Sequence, residues 1–84
     1  MRNEIFYGKA QELRYIFKGS PIAIDIICDI MKVVFTNNDV LPDDFHISGH
    51  HYSLTLVSDI VNKLSDGRSY SVTQNGDFFF CRKI

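Results

Sequence analysis

This sequence has no tryptophan, only two cysteines, no excess of either charge, and no long uninterrupted apolar run. Each absence excludes something. Two cysteines make no disulfide framework, so a reducing compartment is expected. Net charge is -1, with five basic and five acidic residues before Pro42 and four basic and five acidic after it. Neither half is a basic arm, so a strong electrostatic footprint for nucleic acid is missing. The longest apolar stretch, residues 21–35, is cut by Asp25, Asp29 and Lys32, too charged to span a bilayer. No apolar signal core follows Met1, and the expected location is the cytoplasm.

Catalytic signatures are missing as well. There is no nucleophile elbow, phosphate-cradling glycine loop or dinucleotide fingerprint. His46, His50 and His51 form the only histidine cluster. A metal site there would need further ligands from Asp43, Asp44 or a cysteine, and Gly49 argues against a regular helix presenting His46 and His50 together. A polar surface loop is the simpler reading. We expect no enzyme, no metal and no cofactor.

What is present is ordinary globular composition: 45% hydrophobic and 23% charged, with seven Phe and four Tyr. At 84 residues there is room for one domain with a thin core. Residues 3–18 have helical periodicity through Ile5, Phe6, Ala10, Leu13, Ile16 and Phe17. Asn3 is placed to cap this helix and Gly19 to stop it. Gly8 weakens it by about 1 kcal/mol relative to Ala, which suggests a packing need for a small residue.

Residues 21–36 form the second helix, capped by Ser20 with Pro21 in the first position. Its charges, Asp25, Asp29 and Lys32, fall on one narrow stripe, and the rest is apolar. So apolar a helix in so thin a domain calls for cover, most simply a second copy. A homodimer through residues 21–36 is expected.

Residues 37–49 are expected to be a loop with one helical turn near Pro42–Phe45. Residues 53–66 form the third helix, with Ser53 as cap and Leu54, Val57, Ile60, Val61 and Leu64 inward. Residues 68–84 form a hairpin. Asn75-Gly76 is the strongest two-residue turn signal, and as a type I′ turn it sets Thr73 opposite Phe78, Val72 opposite Phe79 and Tyr70 opposite Cys81. One face then holds Tyr70, Val72, Phe79 and Cys81, the other Ser71, Thr73, Phe78 and Phe80. Arg68 and Lys83 oppose each other, with Arg82 adjacent, as a basic patch at the hairpin base. The expected fold class is α+β: about three helices followed by a C-terminal antiparallel hairpin.

This order resembles a winged helix-turn-helix domain. Leu54-Thr-Leu-Val57-Ser-Asp-Ile60-Val61-Asn-Lys-Leu64 looks like a recognition helix. Tyr70-Ser-Val72-Thr73-Gln-Asn-Gly76-Asp-Phe78-Phe79 is similar to the wing of many bacterial winged-helix regulators. The local likeness covers roughly residues 50–84. It implies a small dimeric DNA-binding transcriptional regulator of bacterial, phage or plasmid type. Thr55, Ser58, Asn62 and Lys63 would face the major groove, Gln74 and Asn75 would sit at the wing tip, and Arg68, Arg82 and Lys83 would contact the backbone. The competing expectation is a protein-binding inhibitor or adaptor, such as a phage or mobile-element accessory protein, anchored by Phe78 and Phe80. The near-neutral charge favours the second. The helix-plus-hairpin pattern tips the sequence reading to the first.

Overall fold

A computed structural model describes residues 3–84. The chain runs α1 (Glu4–Ile16), α2 (Pro21–Thr36), β1 (Asp44–Ser48), α3 (Leu54–Leu64), β2 (Tyr70–Asn75) and β3 (Phe78–Lys83). The strands make one antiparallel sheet in the order β1-β3-β2. One face of it packs on α2 and α3, and α1 packs on those two helices without touching a strand. The α+β class and the C-terminal hairpin are as expected.

Each helix begins where a side-chain oxygen can take an orphan backbone N–H. The Asn3 side chain accepts from the Phe6 amide at 3.1 Å, Ser20 from Ala23 at 3.3 Å and Ser53 from Leu56 at 3.1 Å. α1 buries Phe6, Ala10 and Leu13, one stripe at i, i+4, i+7, while Ile5 and Ile16 stay exposed. Nothing lies near the space a Cβ on Gly8 would take. The packing reason expected for that glycine is therefore absent. α1 ends at Ile16, capped by Phe17, before Gly19.

α2 is covered within the chain more fully than its composition suggests. Ala23, Ile26, Ile27, Ile30 and Val34 are buried among α1, α3 and the sheet. After α2 the backbone turns through left-handed Asn38 and Asp39. The Tyr7 hydroxyl donates to the Asp39 carboxylate at 2.7 Å and ties that turn to α1.

The expected loop over residues 37–49 is corrected by the structure, because residues 44–48 form β1. Phe45 and Ile47 point to the core while Asp44, His46 and Ser48 point out, a two-residue period. Five residues carry little local signal, and the strand exists because distant β3 pairs with it. Ile47 faces Phe79 and His46 faces Phe80.

The hairpin register is corrected too. The loop is Gly76-Asp77, with Asn75 opposite Phe78, Thr73 opposite Phe80 and Tyr70 opposite Lys83. Gly76 has φ +61° and Asp77 is not left-handed, the type II′ pattern, which needs glycine only at the first loop position. The Asp77 carbonyl accepts from the Gly49 amide at 3.0 Å, which ties the tip to the end of β1. A slip of two residues keeps each side chain on its own face. Tyr70, Phe79 and Cys81 are buried as expected, and burial pushes the Cys81 thiol pKa up to about 12.

Between β1 and α3 the chain turns under a ring. The Tyr52 hydroxyl donates to Asp29 of α2 at 2.6 Å, and its ring lies beside Phe79. Desolvation, then the Asp29 carboxylate, raises the Tyr52 pKa. A Cβ on Gly49 would clash with three atoms of that ring. Gly49→Ala is therefore expected to destabilise by about 1–3 kcal/mol, the usual cost of overpacking, because the anchored ring cannot simply swing away. Urea denaturation measures this, and Gly8→Ala, which meets open space, is the control.

Candidate functional site

Side chains alternate across each strand, so the outer face of the sheet is a grid of three rows, none covered by any described residue. Asp44, Arg82 and Ser71 form the first row. His46, Phe80 and Thr73 form the second, and Ser48, Phe78 and Asn75 the third. All nine are exposed, and the two phenylalanines retain 48% and 46% of their surface. Their rings stack at 6.4 Å, and the His46 ring lies 6.1 Å from Phe78 and 5.9 Å from Phe80. On this face lies a shallow hollow of about 730 Å³ lined by Asp44, His46, Ser71, Thr73, Phe80 and Arg82.

The face is nearly neutral. The Arg82 guanidinium donates to Asp44 at 2.9 Å, so its only arginine already has a carboxylate. Phe78 and Phe80 were legible as sheet-face residues. His46 was missed because β1 was missed. The alternation Asp44-Phe45-His46-Ile47-Ser48 was the available signal.

The other expected contact residues are mostly engaged within the chain. The Asn62 side chain accepts from the Tyr70 amide at 2.8 Å and donates to the Tyr70 carbonyl at 3.2 Å and the Ser58 carbonyl at 2.9 Å. It thus pairs with the free edge of β2 as a neighbouring strand would. Lys63 is bonded to Asp59 at 2.5 Å on its own helix. Arg68 donates to the Leu41 carbonyl at 3.0 Å and contacts Asp43 at 3.4 Å. The expected opposition of Arg68 and Lys83 is not formed, because Lys83 faces Tyr70. The cluster expected at the hairpin base is instead divided between two acidic partners, Asp43 and Asp44. Thr55, Gln74, Asn75 and Lys83 are exposed, and the Gln74 amide donates to the Gly76 carbonyl. The segment before α3 is a strand and a turn where the resemblance implies a positioning helix.

His50 and His51 stack edge to face in that turn, with His50 3.5 Å from Asp77, while His46 lies on the sheet face. Among the described residues no group of three or more His, Cys, Asp or Glu is placed to hold a metal ion. No helix among them is long and apolar enough to cross a membrane.

The fold and its surface define an α+β domain with one uncovered aromatic sheet face. The chain matches no protein-family model, no curated protein and no solved structure.

Proposed function

We propose that this domain is a protein-binding module and that the outer sheet face is its contact surface. One observation carries the reading: stacked Phe78 and Phe80, flanked by His46, stand uncovered at the centre of a polar rim. Protein interfaces have this anatomy, with aromatic anchors inside and hydroxyls, amides and ion pairs around them. The Arg82–Asp44 pair matters for the choice of partner. A polyanion needs free cations to displace its counterions, and here the one arginine is already neutralised. An uncharged, partly apolar protein surface suits the face better.

The test uses a photo-crosslinking residue at Thr73, beside Phe80, to capture the partner in cells of the source organism. Phe80→Ala should lower affinity for the captured protein by about thirtyfold or more, the signature of an anchor contributing at least 2 kcal/mol. The circular dichroism spectrum should not change, since an exposed cross-strand pair contributes only about 0.2–1 kcal/mol to folding. Equal capture by native protein and variant rejects the reading.

Duplex DNA is the second reading, carried by the uninterrupted order α3, β2, β3 and by exposed Thr55 and Lys83. It predicts a salt-sensitive gel shift that Lys63→Glu with Arg68→Glu abolishes. A shift that survives both changes rejects it.

A further inference from the structure

Away from the sheet, α1 and α2 leave a groove between them. α1 touches α2 and α3 but none of the strands, so this groove and the aromatic face are separate surfaces. Its floor on α2 is a stripe, Ile24, Cys28, Met31 and Phe35, spaced i, i+4, i+7, i+11. Tyr7 and Met31 line the groove along most of its length. One end is a hollow of about 490 Å³ bounded by Arg14, Tyr15, Lys18 and Ile24. At the other end Phe35 projects with 74% of its surface exposed, next to Asp39. The groove therefore has a hole at one end and a knob at the other.

We infer that this groove is the contact between two copies of the chain, related by a twofold axis that sets the two α2 helices antiparallel. The stripe is the reason. Positions 24 and 35 share a midpoint with positions 28 and 31, so the antiparallel arrangement lays Phe35 of each copy toward Ile24 of the other. Phe35 then fills the hole beside Tyr15 and Lys18. Charge agrees with this. Exposed Asp25 and Lys32 share nearly the same midpoint, so each aspartate comes opposite the lysine of the second copy, twice per dimer. The Asp39 end of each groove likewise meets the Arg14 and Lys18 end of the other. A parallel arrangement would set Phe35 against Phe35 and leave both hollows unfilled. Self-complementarity of this kind is what a twofold interface requires. About three helical turns separate the ends of the stripe, enough for a continuous seam. Cys28 comes close to the axis.

Light scattering at about 50 μM should give twice the 9.7 kDa of one chain, a concentration that would populate a micromolar dimer. Phe35→Asp should be monomeric. Asp25→Lys and Lys32→Asp should each weaken association about tenfold, and the double exchange should restore it, as expected when the two charges face each other. A short bismaleimide should join two native chains through Cys28, and Cys28→Ser should abolish the adduct. These side chains are at or near the surface, and circular dichroism verifies each fold. A native mass of one chain at about 200 μM overturns the inference, since association weaker than that has no role at cellular concentrations. So does a dimer that Phe35→Asp leaves intact, or a double exchange that fails to restore association.

Discussion

Phe79→Ala should remove about 3–5 kcal/mol of stability, a large part of the roughly 5–10 kcal/mol expected for a chain of this size. Phe79 is the largest fully buried side chain. It sits on the central strand, faces Ile47 of β1 in register and lies beside the Tyr52 ring. The whole inner face of the sheet therefore closes around it, and removing the ring opens a cavity that no single neighbour can fill. The expected result is a large fall in the urea midpoint with little change in slope. Phe80→Ala, one residue on and on the other face, should shift the midpoint by a tenth to a fifth as much. Equal effects from the two would mean that the outer face is not free, and the proposed contact surface would be lost with it.

That contrast was legible from the sequence, because alternation along a strand survives an error in pairing. The register expected from Asn75-Gly76 was off by two residues, yet an even slip leaves every side chain on its own face. The three N-caps were legible because Asn3, Ser20 and Ser53 act within three residues of themselves. So was α2, whose charges repeat at helical spacing.

What was not legible depends on residues far apart in the chain. β1 has only five residues, and its partners on β3 lie thirty or more positions away. Without β1, Asp43 and Asp44 read as a solvated turn. With it, they lie beside Arg68 and Arg82 and neutralise them. The expected basic patch was therefore a correct reading of residue types and an incorrect reading of neighbours. The apolar surface expected of α2 is in part covered within the chain. Composition alone could not say which face α1, α3 and the sheet would cover. Part of the apolar surface stays uncovered, Ile22 and Phe35 most of all, and the stripe from Ile24 to Phe35 is where we propose the second copy.

Asn62 separates an architectural role from a recognition role by measurement. Its amide exchanges two hydrogen bonds with the Tyr70 backbone and gives a third to the Ser58 carbonyl. It therefore occupies the outward-facing polar groups where β2 begins, a position that a further strand or water would otherwise fill. Asn62→Leu keeps the volume and removes every one of these bonds. The Tyr70 amide is then left beside an apolar side chain, and an unsatisfied buried donor costs about 1–3 kcal/mol in addition to the bonds lost. A destabilisation of about 3 kcal/mol is expected, with faster amide exchange at Tyr70 and at its neighbours along β2. Asn62→Asp should recover part of it, because a carboxylate still accepts from the Tyr70 amide but cannot donate to the carbonyl. A residue kept to read adenine would behave differently: its loss would leave the urea midpoint unchanged and weaken only binding to DNA. A midpoint shift below about 0.5 kcal/mol, the size of an ordinary surface substitution, would return Asn62 to the recognition surface and shift the weight toward the duplex reading.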